Sequence, residues 1–192
     1  VGRPPRPKPQ PNMNVASEDL NRPLMEWYWY DHIIHKDGRE EWTEPVKNLI
    51  VDTAFQAMAG SFGNIAGTSG GIQQHAMGAG LVGWDVSLPL PTLGQVKLVT
   101  EIIRKVPDTI DYIDAPLGTI VAGPTSIIRV QTTLDFADLG GGADIREQGL
   151  FGANATGAAD SGLMIDAVNH VKIFKDSSIK LIRFIELQFS PV

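Results

Sequence analysis

The chain of 192 residues contains no cysteine. That excludes disulfide scaffolds, thiolate nucleophiles and cysteine-based zinc sites, and it leaves the redox compartment undetermined. No apolar run approaches the roughly 18 residues that a membrane helix needs. The basic N-terminus leads into proline, so a secretory leader is not expected. Aromatic residues make up only 7% of the chain, and 16 basic residues face 22 acidic ones for a net charge of −6. An acidic balance argues against broad nucleic-acid binding. There is no Gly-x-Ser-x-Gly nucleophile elbow and no Walker lysine. What is present is one domain's length of chain, 43% hydrophobic, which can bury a core without a metal or a disulfide.

Proline, by contrast, is concentrated at one end. In Val1-Gly-Arg-Pro-Pro-Arg-Pro-Lys-Pro-Gln-Pro11 it forbids helix and removes amide donors, so the segment reads as polyproline II or a solvated tail. Arg3, Arg6 and Lys8 make this the one basic patch, suited to docking on an acidic neighbouring subunit. The expected organisation is an extended arm over residues 1–23 and a single domain over residues 24–192.

The strongest periodicity lies in the C-terminal half. In 127–136, Ile128, Val130, Thr132, Leu134 and Phe136 share a face; in 179–189, Ile179, Leu181, Ile185, Leu187 and Phe189 do, interrupted by Arg183. Between them stand Ile145-Arg-Glu-Gln-Gly-Leu-Phe151 and Leu163–Phe174, separated by glycine-rich or polar turns. Strands at short spacing with turn chemistry between them predict a mainly β chain. The expected fold is an antiparallel β-sandwich, jelly-roll-like, with one amphipathic helix and the proline-rich arm. Short strands are also expected over 108–114 and 118–122, while 93–106 fits either helix or strand.

Near the start, Leu24-Met-Glu-Trp-Tyr-Trp-Tyr-Asp-His-Ile-Ile-His35 and Glu40-Glu-Trp-Thr43 flank Asp37-Gly38, a hairpin turn signal. Trp27, Trp29 and Trp42 are expected to pack or meet a subunit, and a glycan platform is the alternative. His32 and His35, three apart in a strand, face opposite sides and are poorly placed to share a metal. Thr43-Glu-Pro45 predicts the start of the helix and Gly60 its stop, with Val46, Leu49, Ile50, Ala54, Ala57 and Met58 as its apolar stripe.

Catalytic signals are thin. Gly78-Ala-Gly-Leu-Val-Gly83 matches a dinucleotide fingerprint, but Pro89 and Pro91 block the helix that would receive a pyrophosphate. Asp108, Asp111 and Asp114 lack the calcium-loop pattern. His75 and His170 stand alone in strand-like runs, where packing is the expected role. No catalytic residue, cofactor or metal is expected.

One constellation carries a resemblance. Val46-Lys-Asn-Leu-Ile-Val51, Ala76-Met-Gly-Ala-Gly80, Leu98-Val-Thr-Glu-Ile-Ile-Arg104, the Arg146-Glu-Gln-Gly-Leu-Phe151 strand, Ser161-Gly-Leu-Met-Ile165, His170 and a final Leu-rich strand follow one another over residues 45–189. This order resembles small virion proteins of tailed bacteriophages, with Glu147, Gly149, Leu150 and Phe151 as the shared cluster. The resemblance implies a non-enzymatic structural role in the tail, collar, fibre or baseplate, with capsid decoration as the alternative and a carbohydrate-binding sandwich as a further one. It implies other virion proteins and a homo-oligomer as partners, a virion location, and neither nucleic acid nor membrane. Physically, a buried Glu147 needs a partner, for which Arg104, Arg129 and Arg183 are the candidates. Gly149 would permit close backbone approach or a bulge.

Overall fold

The computed structural model describes residues 25–63 and 70–189. Thirteen strands and one helix follow in the order β1 (Met25–His35), β2 (Glu40–Trp42), β3 (Val46–Lys47), β4 (Leu49–Ile50), α1 (Asp52–Gly63), β5 (Ile72–Gly78), β6 (Glu101–Lys105), β7 (Thr109–Ile113), β8 (Ile120–Val121), β9 (Ile127–Leu134), β10 (Ala143–Gly152), β11 (Leu163–Met164), β12 (Asp166–Lys175) and β13 (Ile179–Phe189). A 3₁₀ turn at Val82–Asp85 lies between β5 and β6. All pairings are antiparallel. One sheet of seven strands runs β2-β1-β13-β9-β7-β8, with β3 beside β1; the other, of six, runs β4-β12-β10-β5-β6, with β11 beside β10. This is the mainly β, sandwich-like architecture that the alternating runs predict.

Alternation decides which side chains meet. Directly opposed residues share a face, so Trp29, Ile185 and Val130, in register across β1, β13 and β9, all point inward. They join Trp27, Leu187, Leu150, Val168 and Ala54 in the inter-sheet core. A second cluster lies on the other face of the six-stranded sheet: Val51, Ala76, Leu98, Phe151, Ala155, Met164 and Ala167. Consecutive Leu150 and Phe151 therefore serve two different cores, and both are fully buried. That is why β10 carries so few residues open to solvent: it is covered on both faces.

The helix is not where its sequence signals place it. Thr43 does not cap a helix; its Oγ1 accepts a bond from the Asp31 amide at 2.8 Å. Val46 and Lys47 pair with β1, and Leu49 and Ile50 with β12, so this stretch joins the two sheets. Sheet-edge pairing overrides the helical spacing of Val46, Leu49 and Ile50. The helix starts instead at Asp52, whose carboxylate suits the positive end of the dipole, and it runs past Gly60 to Gly63. Ala54 and Ala57 remain its buried stripe. The proposed arm, with Arg3, Arg6 and Lys8, lies outside the described residues.

Candidate functional site

Glu147 is fully buried, and none of the three arginines expected as its partner pairs with it. Its Oε1 accepts from the amides of Thr100 at 2.7 Å and Gly80 at 3.1 Å, and its Oε2 from the amide of Val99 at 2.8 Å. The three candidate arginines are engaged elsewhere: Arg104 with Glu101, Arg129 with Glu186 and Arg183 with Asp31. A carboxylate that receives three backbone donors is satisfied without a counter-ion. Gly78 makes room for it, since a Cβ there would come within 2.4 Å of Glu147 Oε1.

Those amides belong to the two ends of one segment, 79–100, which leaves β5 and returns into β6. Glu147 thus buckles a strap across the outer face of the six-stranded sheet. Its neighbour helps. A register shift between Ile145 and Glu147 interrupts the strict alternation, and Arg146 also reaches the strap. Arg146 holds both carboxylate oxygens of Asp85, at 2.7 and 2.9 Å, and donates to the Ala79 carbonyl at 3.2 Å. That grip lowers the Asp85 carboxyl to about 2. Further along, Asn169 Nδ2 donates to the Pro89 carbonyl and the Asp52 amide donates to that of Leu93. Leu98 is buried beside Phe151.

The strap is firmly tied, yet its side chains face solvent. Val86 is 93% exposed, Leu90 87% and Val82 78%. Leu81, Leu88, Leu93, Val96 and Val99 are exposed as well, and Val171 on β12 joins them at 80%. Isolated exposed aliphatics are ordinary, but a run of them on an anchored segment is a candidate contact surface. Sequence reasoning missed it. The available signal was Val86-Ser-Leu-Pro-Leu-Pro91, an uncharged aliphatic stretch whose prolines rule out both a helix and a central strand.

A second apolar feature lies at one end of the sandwich. A pocket of about 430 Å³ is lined by Trp27, Ile72, Ile110, Ile128, Leu187 and Phe189, together with residues of α1. Ile110 opposes Val130 and so belongs to the inner face of the seven-stranded sheet, but it is 45% exposed. Tyr112, opposite Ile128, shares that face and is exposed too. Among the described residues, nothing covers the inner face of the larger sheet here.

The polar centre between the sheets is closed. Arg183 and Asp31, both fully buried, exchange two bonds of 2.7 Å, and the guanidinium lies over the Trp29 ring. His170 Nε2 stands 3.3 Å from Arg183, and His75 Nε2 bonds Gln148 at 2.9 Å. Burial, then the nearby Arg183 charge, lowers both histidines to about 3. They are neutral near pH 7, and each lies out of solvent reach. Asp166 is likewise buried; desolvation raises it to about 6 while the Leu150 amide and Asn48 Nδ2, both at 2.6 Å, hold it.

The other sequence candidates fall as follows. The hairpin forms, but Trp27 and Trp29 point inward and are buried, whereas Trp42 lies on the opposite face, its ring stacked on His32 at 4.1 Å. The three do not make one platform, which removes the geometric basis of a glycan site built on them. His32 and His35 bond separate carboxylates, Glu40 and Glu41. Among the described residues no three histidine, aspartate or glutamate side chains gather as a metal site. Gly149 serves close approach: a Cβ there would lie 2.6 Å from Met164 Cε and 2.7 Å from the Asp166 carbonyl oxygen. No family model, curated protein or solved structure matches this chain.

Proposed function

We propose that this protein is a non-enzymatic structural subunit of a tailed-bacteriophage virion, acting through subunit contacts in the tail, collar, fibre or baseplate. The observation that carries the assembly role is the strap: a segment clamped at both ends by Glu147 and Arg146 that holds Val82, Val86 and Leu90 out in solvent. Ordered apolar side chains of this kind serve association, because burying them is favourable and little entropy remains to be lost. The virion setting rests on the sequence resemblance over residues 45–189, whose Glu147 is the residue that buckles the strap.

The sealed polar centre favours the same reading. General acid–base catalysis needs a titrating group within reach of a substrate, whereas His75, His170 and Asp166 are buried. Immunogold labelling of purified particles tests the proposal. Label at the tail, collar, fibre or baseplate is expected; label spread over the capsid shell would move the protein to decoration. Absence from particles that are otherwise complete would overturn the reading.

A further inference from the structure

We infer that His170 is an acid-sensitive latch: on taking up a proton it leaves the layer between the sheets, and the stretch of β12 that carries it lets go of the strap's tip. This coupling is a property of the chain itself. Only the contact that it would regulate rests on the assembly reading above.

Both ring nitrogens of His170 are committed. A guanidinium can only donate, so Nε2 accepts from Arg183 Nη1 at 3.3 Å. The ring proton therefore sits on Nδ1, which donates to the Val171 carbonyl at 2.8 Å. A second proton has to go on Nε2. It would replace that bond by two cations in contact at a buried position. Arg183 faces the ring from β13, Trp29 and Asp31 from β1, and Gln148 and His75 complete the layer from β10 and β5. Asp31 already gives both oxygens to Arg183. On β12 itself, Asp166 is held by Leu150 and Asn48, and Lys172 is turned toward Asp85 and Asp144. None of these carboxylates is open to a histidinium. His75 differs, since its Nδ1 has no partner among the described residues and a proton there breaks no bond.

The position of His170 in β12 makes the response local. Asn169 stands opposite Glu147 and Ile173 opposite Ile145, so four steps along β12 answer two along β10. His170, Val171 and Lys172 thus form a bulge across from Arg146 alone. On its other edge β12 pairs with β4 only at Asp166 and Ala167, and among the described residues no strand continues that pairing. A stretch with so few ladder bonds opens at lower cost than the body of the sheet. His75 lacks this freedom, because β5 is paired on both sides, with β10 and β6.

The same bulge holds the strap. Asn169 Nδ2 donates to the Pro89 carbonyl at 3.0 Å, and Lys172 Nζ lies 3.6 Å from Asp85. Glu147 grips the strap's two ends independently of them. Displacing His170 therefore frees the tip while the ends stay fastened. The sign follows from linkage. In place, His170 is held down at about 3 by burial and then by the Arg183 charge; released, it regains its ordinary 6.5. Below about pH 6.5 the open form should gain roughly tenfold per unit of acidification, and above it the balance should not change.

The test places a nitroxide at Ser87→Cys in the otherwise cysteine-free chain and follows its mobility from about pH 7.5 to about pH 5. A mobile component is expected to grow below about pH 6.5 while the far-UV circular dichroism of the sheets stays unchanged. His170→Gln keeps an acceptor for Arg183 and cannot titrate, so its mobile component should not respond to pH. His75→Gln should respond as the wild type does. A label that stays ordered until the sheets themselves unfold overturns the inference, and so does an unchanged response in His170→Gln.

Should His170→Gln fold poorly, imidazole ¹⁵N spectra of the unsubstituted chain near pH 7.5 give a second route. His170 is expected as the neutral Nδ1–H tautomer. An Nε2–H or doubly protonated ring would overturn the latch. Absence of the protein from particles would remove the assembly reading and leave the coupling standing, since the nitroxide reads the chain alone.

Discussion

The aromatic hairpin and the strap make an instructive pair. Both are rich in large apolar side chains. Yet the hairpin turns Trp27 and Trp29 into the inter-sheet core, while the strap leaves Val86 and Leu90 in solvent. The difference lies in what each backbone can pair with. β1 has partners on both sides, β13 along its whole length and β2 and β3 on the other edge, so its alternation is committed to an inside and an outside. The strap has Pro89 and Pro91 and forms no ladder; it is held by a few bonds to Glu147, Arg146 and Asn169. Side-chain hydrophobicity alone therefore does not mark a buried segment. Backbone pairing decides which face the side chains can hide.

The comparison predicts that perturbing the hairpin's core costs stability, whereas perturbing the strap costs association. Acid should have the largest effect. His75 and His170 are held near 3, below the unfolded value of 6.5, so the unfolded chain binds more protons between those pH values. Stability is present above about pH 6.5 and falls on acidification, by about 1.4 kcal/mol per pH unit for each histidine. Two units of acidification below pH 6.5 should cost about 5 kcal/mol from the two histidines taken alone, read by urea unfolding across pH. Asp166 works the other way. Its folded value is raised from 3.8 to about 6, so its protonation favours the fold and its contribution declines as pH rises through that window. Asp166→Asn should therefore show a steeper acid loss than the wild type.

Next in size is Arg183→Ala, expected to destabilise by about 3–5 kcal/mol because Asp31 is left buried without its partner. Removing the Arg183 charge should also raise the histidines toward their ordinary value, so that the acid loss still begins near pH 6.5 but levels off at a higher pH and is smaller in total. A wild-type unfolding midpoint for this variant would show that the pair under Trp29 is not a supporting contact.

Glu147→Gln should cost about 2–3 kcal/mol. One glutamine oxygen cannot serve the three amides of Gly80, Val99 and Thr100, and its NH₂ would confront at least one of them. Hydrogen exchange should speed up at these three amides well before it does in β13. Uniform acceleration over the whole chain would mean that Glu147 supports the sandwich generally rather than the strap.

Much of the fold is legible in the sequence because period-two alternation has one physical meaning in a half-buried strand. Ile128 to Leu134 and Ile179 to Leu187 read directly, including the interruption at Arg183. Two things were illegible for reasons that are physical. Val46, Leu49 and Ile50 sit at helical spacing by coincidence, and only their long-range partners on β1 and β12 select the extended form. For Glu147, need for a partner could be inferred but its identity could not, since backbone amides exist everywhere in a sequence and carry no residue signature. The strap's exposure was half legible: Pro89 and Pro91 rule out a ladder, but the bonds at Gly80, Val99 and Thr100 that hold the segment in place carry no residue signature.

The smallest effect on stability should come from Val86→Asp, and it is the sharpest probe of the comparison. Val86 is 93% exposed, so a substitution there loses almost no buried area, and surface changes of this kind stay within about 0.5 kcal/mol. The melting temperature should be unchanged and the exchange pattern at the strap's anchors preserved. Association should nevertheless fall, because a carboxylate driven into an apolar contact must be desolvated without a partner. Salt should not rescue it, since the loss arises from burial of the charge rather than from repulsion across solvent. If Val86→Asp lowers the melting temperature by several degrees, the residue packs on its own chain in solution. The strap would then be another piece of covering for β10, on the same footing as the hairpin.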